Sequence, residues 1–330
     1  MKAPAFWYRS PGLRAGLLTP LGLAFSSGGI LRRHLTRPFD PGIPVICIGN
    51  LVAGGAGKTP VTLAVVALLQ AHGIAAHVLT RGYGGSLPGP VQVAPSLHDS
   101  AAVGDEALLL AEAAPTLVAR DRAAGARAAL AAGAEALVLD DGFQNPALVY
   151  RFSVLVVDGT VGFGNGCLIP AGPLRETAQR GLARASAVVM MGEDRTGVTD
   201  LATQFGLPVF HARLTPDPAA AKALRGRRVL AFCGIGRPAK FFETLREVGA
   251  IPVETRAFAD HHRFRPAEID AMLLRARELD AMPLTTAKDF MRLSESTRAQ
   301  VQVLPVKVTW SRDDGEAFAA RLKKTVTGHV

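Results

Sequence analysis

A chain of 330 residues has room for about two domains, which excludes a small disulfide scaffold or a single short module. Hydrophobic residues at 48% against 20% charged exclude intrinsic disorder, and a mean hydropathy of +0.22 leaves apolar surface to spare. The balance of 37 Lys and Arg over 28 Asp and Glu is +9, an excess that suits nucleic acid, anionic membrane or phosphorylated substrates until it is located. Six of those charges, Lys2, Arg9, Arg14, Arg32, Arg33 and Arg37, fall in residues 1–37, which hold no acid.

The uncharged run between Arg14 and Arg32 is broken by Pro20 and several Gly and Ser, and falls short of the ~20 apolar residues of a spanning helix. A secretory signal fits poorly, because Phe6, Trp7 and Tyr8 precede the apolar run and no disulfide-bearing domain follows a cleavage site. The segment reads as an interfacial helix: aromatic rings at the headgroups, Leu17, Leu18, Leu21, Leu23 and Phe25 in the acyl boundary, arginines on anionic lipid. A helical arm packed on the body of the protein is the alternative. Cys47, Cys167 and Cys233 are far apart without a C-x-x-C pair, so neither a disulfide framework nor a thiolate zinc site is indicated, and the setting is reducing and cytoplasmic.

Next, Pro44–Ile48 forms a β-branched run into Gly49-Asn50, predicting a buried parallel strand entering a loop. Thr59 to Ala71 is apolar on nearly every face, as in a helix packed on a sheet, and His72-Gly73 closes it. Between strand and helix lies Val52-Ala53-Gly54-Gly55-Ala56-Gly57-Lys58-Thr59, a phosphate-binding loop whose first glycine is replaced by Val52. The remaining glycines still allow backbone N–H groups of Gly54, Gly55, Ala56 and Gly57 to surround phosphate oxygens at a helix N-terminus. Lys58 would reach the β- and γ-phosphates and Thr59 would offer a hydroxyl to Mg2+.

Strands at His77–Leu79, Ala136–Leu139, Val154–Val157 and Ala187–Met191, alternating with Ala-rich helices near 105–114 and 121–132, predict a doubly wound, mostly parallel α/β sheet. The run ending in Asp140-Asp141 puts carboxylates at the sheet's carboxyl edge, where two adjacent like charges call for a cation; a solvated Asp-Asp-Gly turn is the bland alternative. A second α/β pattern begins near Arg227: strand Val229–Cys233, helix 239–247, strand Pro252–Phe258, helix 266–279, strand Pro283–Thr286 and strand Val301–Val308.

The motifs, taken together, resemble the tetraacyldisaccharide 4′-kinase family, the membrane-associated P-loop lipid A 4′-kinases of Gram-negative bacteria. The matching stretches are G-N-L-V-A-G-G-A-G-K-T-P (49–60), T-R-G-Y-G-G (80–85), G-D-E (104–106), V-L-D-D-G-F-Q (138–144), G-N-G-C-L-I-P-A-G-P-L-R-E (164–176), F-C-G-I-G-R-P (232–238), F-A-D-H-H-R-F (258–264) and L-T-T-A-K-D (284–289). The resemblance implies ATP-dependent phosphorylation of the 4′-hydroxyl of a tetraacyldisaccharide 1-phosphate to give lipid IVA. It implies that Lys58 and Thr59 serve the triphosphate and Mg2+ with Asp140 or Asp141 completing the metal site, and that Asp105 activates the sugar hydroxyl with His261. Asn50, Arg81, Arg175 and Glu176 are expected at the substrate. Asn145, where many members carry His, and Ala287, where Glu is common, depart from the family pattern.

The expected organisation is a membrane-associating helical segment (1–37), a P-loop kinase core (38–222) and a smaller α/β domain (223–330). The expected partners are the glycolipid and inner-membrane lipids at the cytoplasmic face, with peripheral attachment, no nucleic acid and no obligate protein partner. Two other classes compete with this reading. A P-loop switch ATPase would depend on a protein partner, and a nucleic-acid ATPase would carry a basic groove lined with aromatics, which the 6% aromatic content disfavours.

Overall fold

The computed structural model describes residues 4–328, so Lys2, one of the six N-terminal cations, lies outside them. Apolar runs without polar alternation become inner strands, because parallel strands are covered on both faces. The strands are β1 (Val45–Gly49), β2 (Ala76–Thr80), β3 (Val91–Gln92), β4 (Thr116–Val118), β5 (Ala136–Asp140), β6 (Phe152–Asp158), β7 (Ala187–Met191) and β8 (Val209–Pro216). They continue with β9 (Arg228–Cys233), β10 (Ile251–Ala257), β11 (Met282–Thr286), β12 (Gln302–Leu304) and β13 (Val306–Trp310). The larger sheet runs β13-β8-β7-β6-β1-β5-β2-β4-β3 and is parallel except for its two edge strands; the smaller runs β10-β9-β11-β12, all parallel.

β1 lies at the centre of the larger sheet and alternates its side chains between two layers, as the strand period of two requires. Ile46 and Ile48 face helix Lys58–Ala71, packing with Val61, Val65, Val66 and Leu69, while Phe318 and Leu322 of the C-terminal helix Asp314–Thr327 extend the same cluster. Val45 faces the other way, into the layer formed with Ala126 and Ala129 of helix Arg122–Ala131.

One expectation is corrected here. The strand anticipated over Val301–Val308 is two strands in different sheets: β12 pairs with β11, and β13 runs antiparallel to β8. Pro305, with no N–H to continue a ladder, marks the break. Described residues 306–328 therefore return to the larger sheet, and the chain passes between the sheets along the neighbouring pair β8 and β13.

Helix Leu13–Leu35 passes through Pro20 without interruption and buries only Ala15, Gly22 and Ser26, a narrow stripe of small residues. Gly22 permits the contact, since a Cβ there would lie 3.1 Å from Leu168 Cβ. Leu18, Ile30 and Arg33 are half-buried and the rest of the helix is exposed, with Leu13 at 89%, Leu17 at 81% and Leu35 at 75%. Trp7, expected among headgroups, instead rests against the protein, its indole N–H donating to Pro170 O at 3.0 Å. Among the described residues no helix is long and apolar enough to cross a membrane.

Candidate active site

The loop after β1 begins where Gly49 lies against Phe143, so close that any Cβ would collide with that side chain. Asn50 is fully buried and braces the loop across itself, Nδ2 donating to Gly54 O at 3.2 Å, while its Oδ1 has no partner. Gly54 (φ 134°) and Gly57 (φ 87°) take left-handed backbone that other residues resist, and Gly57 starts the 14-residue helix whose N-terminus opens into the loop. Ala56 turns its methyl into the core, so only its backbone is available to a ligand. The far wall is segment 164–176, fastened by Ala53 N to Pro173 O and Arg175 N to Leu51 O, each 2.8 Å.

The two adjacent acids at the end of β5 have unlike surroundings. Asp140, level with Ile48 of β1, is 1% exposed and accepts hydrogen bonds from Thr62 Oγ1 (2.8 Å) and Thr59 Oγ1 (3.3 Å). Burial, with Glu106 nearby, pushes its carboxyl up to about 7. Asp141 adopts left-handed backbone (φ 54°), an uncommon state for a non-glycine residue. It faces Lys58 Nζ at 3.6 Å and Arg175 Nη1 at 3.1 Å. Burial raises its carboxyl too, but these cations outweigh it and the net shift is downward. Asp140 thus lacks a bonded cation, which Asp141 has. A threonine hydroxyl beside a buried carboxylate is a hard-oxygen donor set that fits Mg2+. Among the described residues no three His, Cys, Asp or Glu side chains form a complete cage, so such an ion would draw its remaining oxygens from water or nucleotide phosphates.

Asp105 opens helix Asp105–Ala111, next to the loop that follows β2. It is 4% exposed, and its Oδ2 lies 3.3 Å from His261 Nδ1. Burial alone would raise its carboxyl, but the His261 hydrogen bond, Lys288 and Arg292 hold it well below the usual carboxylate range. His261 comes from the loop after β10 and is itself left-handed (φ 57°), held by its N–H on Gly234 O (3.0 Å) and by the edge of Tyr83, 5.2 Å between ring centroids. Lys288 Nζ touches both His261 Nε2 (3.1 Å) and Glu106 Oε1 (2.9 Å).

The carboxyl ends of both sheets therefore meet over one cleft. Of the residues expected at the substrate, Arg175 joins Asp141 and Gln144, Asn50 lies within the phosphate loop, and Arg81 stands exposed just after β2. Glu176 is taken up by an ion pair with Arg184 at 2.5 Å and by Gln144 Nε2 at 3.4 Å. Sequence reasoning missed Gln144, Arg184, Arg292 and the role of Lys288, although Gln144 and Lys288 lie inside motifs already noted. A further pair across the cleft, Arg237 with Asp158, was also unforeseen.

The sequence profile of the family described as tetraacyldisaccharide-1-P 4′-kinase matches residues 14–327. A protein from Rhodospirillum centenum named tetraacyldisaccharide 4′-kinase is 58% identical over 318 residues, covering 95% of this chain and 94% of the relative. One of the same name from Rhodospirillum rubrum is 48% identical over 335 residues, covering 100% and 99%. A crystal structure of LpxK from Aquifex aeolicus in complex with ATP is similar with a TM-score of 0.75 at 26% identity, covering 94% of this chain and 99% of that one.

Proposed function

The chain belongs to the tetraacyldisaccharide 4′-kinase family, and from that premise we propose how its own residues carry the reaction. The enzyme is an ATP-dependent kinase of lipid A biosynthesis that transfers a phosphoryl group to the 4′-hydroxyl of a tetraacyldisaccharide 1-phosphate. The observation that carries the mechanism is the meeting, at one cleft, of a phosphate loop with an Asp105–His261 pair from opposite sheets.

The loop N–H groups of Gly54, Gly55, Ala56 and Gly57 and the Lys58 ammonium hold the triphosphate and stabilise charge on the transferring group. Thr59 and Asp140 would hold Mg2+, with Asp141 steering Lys58 and Arg175; the ion would supply neutralisation of charge on the phosphate oxygens. The sugar oxygen attacks the γ-phosphorus, the bond to the β–γ bridging oxygen breaks, and ADP leaves. The hydroxyl proton passes to the pair. Because Asp105 is held ionised, the proton rests on His261 and Asp105 orients the ring. Asn50 braces the loop, while Arg81, Arg175 and the Glu176–Arg184 pair line the approach of the acceptor.

In the same reading, residues 1–37 lie peripherally on the cytoplasmic face of the inner membrane, where the acyl chains of the substrate reside; 38–222 is the kinase core, and 223–330 the smaller domain that lends β13 and the last helix back to it. The bare leucine face of helix Leu13–Leu35 supports this placement. The test measures ADP release with and without the acylated disaccharide. A kinase forms ADP in step with phosphorylated sugar, whereas ADP released without phosphorylated sugar would favour a switch ATPase.

A further inference from the structure

We propose that Arg292 is a positioning residue for phosphoryl transfer, a buried guanidinium that spans the two sheets and fixes Asp105 as the partner of His261. The proposal rests on the reading of Asp105 and His261 as the proton-accepting pair. Arg292 follows β11 and its side chain is 5% exposed, yet four of its N–H bonds are placed. Nε donates to Asp105 Oδ2 at 2.7 Å, and Nη2 donates to the same oxygen. Nη1 donates to Asp289 Oδ1 (2.7 Å) and Gly234 O (3.0 Å).

The fork is fixed from behind. Asp289, 0% exposed, accepts from Gly234 N at 3.0 Å and from Thr286 Oγ1 at 2.6 Å, so the smaller sheet presents the guanidinium in one orientation. Gly234 O is also the acceptor for His261 N, which ties the imidazole and the guanidinium to one carbonyl. Asp105 Oδ2 then receives Arg292 on one side and His261 Nδ1 on the other.

These contacts assign the tautomer of His261. Lys288 Nζ, 3.1 Å from Nε2, is an ammonium and can only donate, so Nε2 offers its lone pair and Nδ1 carries the hydrogen toward Asp105. Nε2 is the nitrogen that must take the acceptor's proton, and Lys288 covers it until the sugar hydroxyl arrives. Without Arg292, Asp105 would be a buried carboxylate free to turn, and the ring would lose its orientation. Lysine cannot substitute, since one ammonium cannot reach Asp105 Oδ2, Asp289 Oδ1 and Gly234 O from the separate corners of a planar fork.

The experiment compares Arg292→Lys, His261→Ala and the double variant in the full chain, following kcat, KM for ATP and thermal melting. Positioning predicts that Arg292→Lys lowers kcat by about tenfold to a hundredfold with KM for ATP little changed, and that the double variant is no slower than His261→Ala alone. Wild-type kcat in Arg292→Lys, or losses that multiply in the double variant, overturns the proposal. If His261→Ala keeps its kcat, the underlying pair is wrong as well; if it collapses while Arg292→Lys does not, only the role of Arg292 falls. Should Arg292→Lys melt below the assay temperature, Thr286→Val replaces it: this removes the hydroxyl bond that steadies Asp289, and must lower kcat without moving KM for ATP.

Discussion

At the residue scale, two of the four left-handed residues other than glycine, Asp141 and His261, fall in the candidate site, each held in a strained backbone state by the groups around it. Lys58 is the cation shared between Asp141 and the phosphate loop, so Lys58→Ala should lower kcat by about a hundredfold to a thousandfold while melting close to wild type. Near-normal turnover in a folded variant would contradict the loop's role. Asp105 has a testable signature in stability. Its carboxyl is held below the ordinary 3.8, so its contribution is complete above that value and is lost as pH falls through the folded-state value. Asp105→Asn should therefore melt below wild type near neutral pH, and the gap should narrow as the pH is lowered below about 4; a gap independent of pH would show that the charge is not what stabilises the site. That Lys58 and Thr59 come together with the two acids at 140 and 141 was legible, because a glycine-rich loop before a helix and acids at a strand end are local patterns. Arg292 was not, because its meaning comes from Asp105, 187 residues away, and no local spacing announces that meeting.

Among the elements, helix Leu13–Leu35 carries the clearest unused surface. Replacing Leu17, Leu21 and Leu31, which are 81%, 59% and 60% exposed, with serine should leave thermal stability within about 1.5 kcal/mol of wild type, about 0.5 for each surface position. The same change should weaken binding to anionic vesicles strongly, each methylene withdrawn from the acyl boundary removing about 0.8 kcal/mol. High salt should weaken the wild type only in part, because the apolar share is not screened. Unchanged co-sedimentation of the serine variant would place the anchor elsewhere. Inner strands were readable because both faces are covered and their sequence is continuously apolar, as in Ala187–Met191, found with its bounds intact. Thr116–Val118 is only three residues long, and Val209–Pro216 mixes half-buried and exposed positions, so neither rises above loop composition. The join at Pro305 was read as one strand because flanking valines hid a change of sheet.

For the whole molecule, the sheets meet through an apolar patch, where Met291 packs with Val103, Ala107 and Leu108, and through charge. Asp105 and Glu106 face Arg292, Lys288 and His261 on one side, and Asp158 faces Arg237 on the other. The pair proposed to take the proton, Asp105 and His261, is thus assembled from two halves of the chain. The fold class and reaction class were visible in motif order, whereas the arrangement that joins the halves depends on long-range pairing. The central claim is that this cleft moves phosphate from ATP to one sugar hydroxyl. The most direct measurement incubates the full chain with Mg2+, ATP and tetraacyldisaccharide 1-phosphate in mixed micelles, then locates the new phosphate by fragment mass and phosphorus resonance. The account predicts a single added phosphate at the 4′-oxygen, absent with Lys58→Ala; phosphate at another position, or ATP consumed with the sugar unchanged, would contradict it.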